Sequence, residues 1–280
     1  MITKSPLRYP GGKTNLAGFL RELIERNVGE ACTYFELYAG GAGAALDLLL
    51  SENVRQIVLN DADIHIYYFW DSVLHHPDEF LRQMWETPVN LDIWKREKAI
   101  YESAVDIHSP LEIGFATFFL NRTNRSGIIT KAGPIGGVSQ TGKYKMDCRF
   151  NKANLAQRIE RIAAHANDIE IHNDDTIAFI KQNLNRLSSP LSFMYLDPPY
   201  YKNGRSLYLN AYTHQDHENL RDLMNEIRNL KWMISYDDVE EIRNLYASFV
   251  NYRHELRYFL QEKRKTNEFF VLSDVLEELA

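Results

Sequence analysis

The sequence predicts an α/β fold: an open, mainly parallel sheet with a helical block set into it. Three observations point there. Short apolar runs rich in β-branched and aromatic residues recur at 33–38, 56–59, 168–172, 191–196 and 231–235, with helical patterns between most of them. The first run passes directly into Ala39-Gly40-Gly41-Ala42-Gly43-Ala44-Ala45 and a helix, the strand, small-residue turn and helix that open a Rossmann-like sheet. Between 64 and 166 this alternation stops and helix-period patterns take over.

At 280 residues the chain has ample material for one large core or a core plus an insert. A net charge of -6 and a pI near 5.9 do not announce a nucleic-acid binder, so local charge must carry any such expectation. The two cysteines, Cys32 and Cys148, lie far apart and outside any CxxC or Cys/His cluster. No zinc site or disulfide framework is expected, and a reducing cytoplasm suits the pair. The residues at 1–6 lack the apolar core of a signal peptide, and no run approaches 18 apolar residues. A soluble, intracellular protein without a membrane partner is expected.

In chain order, Arg8-Tyr9-Pro10-Gly11-Gly12-Lys13 is a tight turn before a helix whose Leu16, Phe19, Leu20, Leu23 and Ile24 share one face. It is a loop-to-helix start that could also bring backbone and an ammonium to a ligand. The GxxxxGK[ST] spacing is missing, which speaks against a nucleotide-hydrolysing loop. The strand at 33–38 follows, and the turn after it does not spell GxGxxG. The strand at 56–59 ends at Asn60-Asp61-Ala62-Asp63. Asp61, about 20 residues past the glycines, is placed to accept hydrogen bonds from a ribose diol or to cap the next helix.

Helices are expected at 64–74, 77–86, 94–103 and 111–120. A glycine-rich basic stretch then carries nine basic residues over 121–164 against only two acids, Asp147 and Glu160, a local charge of +7. Such segregation in an acidic chain, with Asn, Ser and Tyr interspersed, fits phosphate contacts and base-edge readout. The strand at 168–172 ends at Asn173-Asp174-Asp175, a ligand candidate or another helix cap.

The strand at 191–196 is stopped by two prolines, neither of which has an N–H for a ladder. The stop leaves Asp197, the Pro198 carbonyl and the Tyr200 ring at the carboxyl edge of the sheet, where open α/β sheets bind ligands. On its own such a turn is also an ordinary strand end. Tyr200, Tyr201, Tyr208 and Tyr212 populate the loop to a helix at 215–230. The strand at 231–235 ends in Tyr236-Asp237-Asp238. Strands at 255–261 and 267–273, joined by a charged turn, close the sheet as an antiparallel hairpin.

Together RYPGGK at 8–13, YFELYAGGAGAAL at 34–46, LNDAD at 59–63, FLNRT at 119–123, NDD at 173–175 and LDPPYY at 196–201 resemble the Dam-type (D12 class) DNA adenine-N6 methyltransferases, over nearly the whole chain. The resemblance implies a Rossmann-like methyltransferase sheet, made of 1–63 and 167–280, with a mainly helical target-recognition domain inserted at 64–166. It implies S-adenosylmethionine as methyl donor, no metal, and an adenine flipped out of double-stranded DNA as acceptor.

By position, Tyr9 and Lys13 would lie against donor and target base. Glu36, Gly40 and Gly41 would line the methionine and ribose part, Asp61 would hold the ribose hydroxyls, and Asp175 or Asp174 the donor's adenine. Asp197, which also borders the donor, would form the catalytic turn with Pro198 and Tyr200. Asn121, Arg122, Asn124, Arg125, Lys143 and Lys145 would contact DNA. A monomer in solution is expected, and the family leaves room for a restriction endonuclease partner.

The chemistry suits these residue types. An adenine amino nitrogen is a poor nucleophile because its lone pair is delocalised into the ring. Two acceptors, Asp197 and a proline-locked carbonyl, can hold its two N–H groups and favour a pyramidal nitrogen. Tyr200 can stack on the extruded base and offset part of the cost of unstacking.

Two departures from the family stand out. Ala42 replaces a frequent glycine, a change expected to be tolerated because alanine is small. After FLNRT, the chain runs into Asn124-Arg125-Ser126-Gly127 and KAGPIGG instead of the segment typical of GATC-specific members. Other readings are methyl transfer to cytosine N4 or to RNA, and DNA binding without catalysis. A nicotinamide-dependent oxidoreductase is disfavoured by the missing GxGxxG.

Overall fold

The computed structural model describes residues 4–8, 13–202, 212–259 and 263–277, with side chains throughout except at 14, 15 and 253–267. Tyr9, Gly11, Gly12, Tyr208 and residues 260–262 lie outside the described residues.

The strands are β1 (Thr33–Glu36), β2 (Gln56–Asn60), β3 (Ile169–His172), β4 (Ser192–Leu196), β5 (Trp232–Asp237), β6 (Val250–Phe259) and β7 (Lys263–Leu272). They form one sheet of order β3-β2-β1-β4-β5-β7-β6. β1 to β5 run parallel, and β7 lies antiparallel between β5 and β6. The expected Rossmann-like α/β class with an antiparallel C-terminal hairpin is what the chain adopts. Strand order reverses between β1 and β4, so the connections leaving them diverge and open a crevice at the carboxyl edge.

The helices are α1 (Ala17–Asn27), reached through a 3-10 turn at Lys13–Leu16, α2 (Gly43–Leu50), α3 (Ile64–His75), α4 (Pro77–Glu86), α5 (Leu91–Glu102), α6 (Pro110–Thr123), α7 (Lys152–Ala163), α8 (Thr176–Gln182), α9 (Leu184–Leu187), α10 (His214–Glu226) and α11 (Glu240–Leu245). The central strands are buried on both faces, which explains their continuous apolar runs. Tyr34, Phe193 and Tyr195 pack with α1, α2 and the helices between β2 and β3. Phe35, Met194 and Leu196 pack with α8, α10 and α11 on the other face.

α6 is the axis of the helical block. Ser109 and Glu112 form a reciprocal cap at its start, Pro110 occupies its first position, and Ile113 to Leu120 are all buried. Phe115, Phe118 and Phe119 meet Phe69, Phe80 and Phe150 in edge, tilted and stacked pairs at 5.3–6.0 Å. Each such pair adds about 0.5–1.5 kcal/mol beyond the area it buries. Gly114 lets α3 approach closely, since a Cβ there would sit 2.4 Å from the Tyr68 carbonyl oxygen.

Two elements differ from expectation. Residues 152–163, which the sequence marked only as part of a basic window, form α7, capped by Asn151 and buried through Leu155, Ala156, Ile159 and Ile162. Basic composition hid an ordinary amphipathic period. In the C-terminal hairpin, Lys263 to Thr266 belong to β7 and not to a turn, and pairing runs from Val250↔Leu272 to Phe259↔Lys263. A charged run is compatible with strand at the margin of a sheet, where charge discourages further pairing.

Candidate functional site

The turn after β4 sits at the topological switch point. Glu36 is in register with Tyr195, and Leu196 with Ile234, so the ends of β1, β4 and β5 lie side by side. The Asp197 side chain is 17 % exposed, and its Oδ1 lies 3.1 Å from Lys13 Nζ and accepts the Ser235 hydroxyl at 2.9 Å. Ser235 in turn shares a 2.7 Å hydrogen bond with Tyr195. Lys13 Nζ also donates to Tyr200 Oη at 2.5 Å and Glu268 Oε1 at 2.8 Å, and the Tyr200 hydroxyl donates to Glu268 Oε1 at 2.8 Å. Lys13 and Glu268 are both buried. Burial pushes the Asp197 carboxyl up to about 6; the Lys13 ammonium opposes this and the Glu268 charge adds to it.

Glu268 reaches this cluster through topology. β7 runs antiparallel to β5, so its early residues lie at the carboxyl end of the parallel strands, with Glu268 opposite Asp237. Asp237 anchors the turn itself, accepting the backbone N–H groups of Tyr201 at 3.0 Å and Lys202 at 3.2 Å. Neither acid was singled out from the sequence. Asp237 carried a signal, an acid ending the fifth strand, whereas Glu268 lies in a segment legible only as hairpin.

Across the switch point, the turn after β1 is tied to the end of β2. Asp61 accepts the Gly40 N–H at 2.7 Å through Oδ2 and the Asp63 N–H at 2.9 Å through Oδ1. The helix-capping alternative for Asp61 is set aside, because Asp63 caps α3 by accepting from His65 N. Burial first, then the Asp63 charge, raises Asp61 to about 7. Glu36 accepts the Ala45 N–H at 2.8 Å, and burial raises it to about 8. Gly41 is buried within the turn, and the Gly40 carbonyl accepts the Trp70 indole N–H at 3.0 Å.

Ala42 adopts φ 46° and ψ 39°, the left-handed region. The cost of alanine here is therefore conformational, not a matter of its size. Buried Asn60 joins β2 to the 173–175 turn by exchanging two 3.0 Å hydrogen bonds with the Asp174 backbone. Asp175 is exposed and caps α8 by accepting from Ala178 N.

Two residues expected at the DNA are turned inward instead. Asn121 and Asn124 are wholly buried. The Asn121 amide accepts the Arg8 N–H at 2.7 Å and donates to the Arg8 and Gly127 carbonyls. Asn124 accepts the Trp94 indole N–H at 2.7 Å and donates to the Ile128 and Ile129 carbonyls. Their amides hold the N-terminal segment and the start of the basic loop in place. Gly127, at φ 76°, completes that contact, since a Cβ there would collide with the Arg8 carbonyl.

Arg125, Lys143 and Lys145 are exposed as expected. Lys143 Nζ lies over the Tyr144 ring at 5.6 Å, and Lys145 Nζ donates to the Gln140 carbonyl. Arg122 is partly buried beside Arg8, Arg149 and Arg158, a grouping that sequence order conceals. Arg122 donates to the Arg149 and Pro6 carbonyls, Arg158 to the Ser5 carbonyl and Arg8 to the Asn124 carbonyl. Burial first, then the neighbouring guanidiniums, lowers Arg122 to about 9. No described carboxylate forms an ion pair with any of the four.

Among the described residues, no group of three or more His, Cys, Asp or Glu is placed to hold a metal ion, and no helix is long and apolar enough to cross a membrane.

The family model described as D12 class N6 adenine-specific DNA methyltransferase matches residues 9–260. Type II methyltransferase M.MjaIII of Methanocaldococcus jannaschii is 23% identical over 232 residues, covering 77% of this chain and 75% of that protein. Two structures of the rRNA methyltransferase aviRa from Streptomyces viridochromogenes, at 1.5 and 2.4 Å, align with TM-scores of 0.44 and 0.40 and identities of 11% and 12%. Each alignment covers 95% of this chain and 87% of theirs. Spanning both the glycine turn after β1 and the Asp197 turn after β4, the family match establishes that this chain belongs to the D12 class of N6 adenine-specific DNA methyltransferases.

Proposed function

We propose that this DNA methyltransferase moves a methyl group from S-adenosylmethionine to the N6 amino group of an adenine swung out of double-stranded DNA. The observation that carries the reading is the placement of Asp197 beside Lys13 and Ser235 at the end of β4, next to β1, whose following turn is tied to Asp61. S-adenosylmethionine, when bound, supplies an electrophilic methyl group on sulfur.

The residues of the first turn fit that donor. Gly40 and Gly41 offer backbone without side chains, and Asp61 offers a carboxylate held by two N–H donors and suited to ribose hydroxyls. Glu36 acts through the fold, holding the start of α2 by way of the Ala45 N–H. The 173–175 turn, tied to β2 by Asn60, borders the donor's adenine. Asp175 spends one oxygen on its helix cap.

The remaining chemistry belongs to the chain. Asp197 Oδ1 is engaged by Lys13 and Ser235, while Oδ2 accepts no hydrogen bond from a described residue and can take one adenine N–H. The Pro198 carbonyl takes the second, so the nitrogen lone pair points at the methyl group. Tyr200, fixed by its hydroxyl to Glu268, offers its ring to the extruded base.

The helical block, α3 to α7 with its basic loop, forms the DNA-facing side. Arg122, Arg125, Lys143 and Lys145 contact phosphate or base edges, and Arg8, Arg149 and Arg158 join Arg122 in a cationic group that has no acid partner among the described residues.

Labelled S-adenosylmethionine and a mixed-sequence plasmid, followed by single-molecule sequencing of modified bases, test the reading. N6-methyladenine at one short motif is the expected outcome. N4-methylcytosine would move the acceptor, and no label in DNA despite donor binding would overturn the proposal.

A further inference from the structure

The adenine-N6 reading leaves a charge to account for, and this inference rests on that reading. Transfer forms an N6–C bond and breaks the donor's S–C bond, whose electrons stay on sulfur. The amino nitrogen then carries the positive charge until one N–H bond breaks, its electron pair remaining on nitrogen. The proton needs an acceptor, and Asp197 is the carboxylate at that position.

Among the described residues, Lys13, Asp197 and Glu268 together hold one positive and two negative charges when all are ionised. Taking up the proton brings this cluster from −1 to neutrality. A Lys13–Asp197 pair alone would start neutral and end as an uncompensated buried cation, a costly state in low dielectric. The second carboxylate is therefore matched to the charge that the reaction moves.

We propose that Glu268 is a positioning residue for methyl transfer: its carboxylate, 2.8 Å from Lys13, makes the cluster anionic and so fits Asp197 to receive the proton shed by the methylated amino group. Glu268 also orients Tyr200, whose hydroxyl donates to the same oxygen that Lys13 approaches. Among the described residues, the titratable groups that act on Asp197 are Lys13 from the N-terminal turn, Glu268 from β7, Tyr195 from β4, and Tyr34 and Glu36 from β1, with Tyr200 of the turn hydrogen-bonded to Lys13. Glu36 is held mainly protonated near neutral pH by burial, so Glu268 supplies the negative charge that raises the proton affinity of Asp197.

Glu268→Gln tests this by keeping the shape and removing the charge. Single-turnover methylation is expected to fall about tenfold or more at pH 8, with KM for donor and DNA within about threefold of wild type. The acid limb of the rate profile is expected to move down by about half a pH unit or more, because Lys13 then holds Asp197 ionised to lower pH. Glu268→Asp, which keeps the charge, should return the limb toward wild type. An acid limb that stays in place overturns the inference, whatever happens to the rate.

If Glu268→Gln does not fold, Lys13→Gln is compared with Lys13→Gln/Glu268→Gln, where no buried ammonium is left over. A lower limb in the double variant supports the role, and coincident limbs overturn it. Wild-type enzyme that leaves DNA unmethylated would overturn the adenine-N6 reading itself. Active wild type with an unmoved variant limb would overturn only the role of Glu268.

Discussion

Asp61 accepts the Gly40 N–H at 2.7 Å, fastening the end of β2 to the turn after β1. Burial raises this carboxyl to about 7, so it is half protonated at neutral pH before any ligand arrives. If it holds the donor's ribose hydroxyls, donor affinity should rise about tenfold between pH 6 and pH 8 as the group ionises. Calorimetric titration across that range checks it. Asp61→Asn should bind more weakly and lose most of the pH dependence; an unchanged pH profile would place the ribose elsewhere.

Asp197→Ala should lower methyl transfer by about 10²–10³, the loss typical of removing one preorganised polar group from a reacting centre. Donor binding should survive in part, since Asp61 and the glycine turn are untouched. Wild-type turnover in this variant would remove Asp197 from the mechanism.

Ala42→Gly should stabilise the enzyme by about 1 kcal/mol, because alanine pays for its left-handed φ of 46° and glycine does not. Urea denaturation of the two proteins measures the difference. A destabilised glycine variant would mean that the alanine methyl packs too well to give up.

Glu36 predicts a stability difference with a definite sign. Its folded pKa of about 8 lies above the unfolded value, so the stability it contributes is fully present below about pH 4.5 and is lost as pH rises towards 8. Glu36→Gln removes that titration while keeping an acceptor for the Ala45 N–H. The variant should therefore gain on wild type between pH 5 and pH 8.5, seen as a widening gap in melting temperature. A constant gap would show that Glu36 titrates normally.

Arg122→Ala and Arg149→Ala should each weaken DNA binding and reduce the slope of log K against log salt by about 0.9, if each meets one phosphate. Fluorescence anisotropy at salt concentrations from about 50 to about 200 mM measures the slope. Unchanged binding at every salt concentration would move the DNA to another face.

The parts of the site carried by local motifs were legible. Asp197, Gly40 and Asp61 each end a strand of a parallel sheet, and strand ends are where such sheets gather their polar groups. Glu268 was not legible, because its position depends on β7 entering between β5 and β6, a pairing no short stretch encodes. Asn121 and Asn124 misled for a different reason. An asparagine beside arginines in a polar stretch suggests contact with DNA, and only packing shows that both amides are consumed by backbone groups and an indole. Ala42 was judged by volume, although the quantity that mattered was a backbone angle.

The Lys13–Glu268 contact spans 255 residues of chain. At a synthesis rate of about 5–20 residues per second, a nascent polypeptide carries its lysine for about 10–50 s before the matching glutamate has been made. A growing chain, or one ended early by a nonsense codon, thus holds an ammonium without its second counter-ion. Until Glu268 has been made, Lys13 lacks this counter-ion, and fragments ended before it carry the N-terminal ammonium without the carboxylate that meets it in the folded chain.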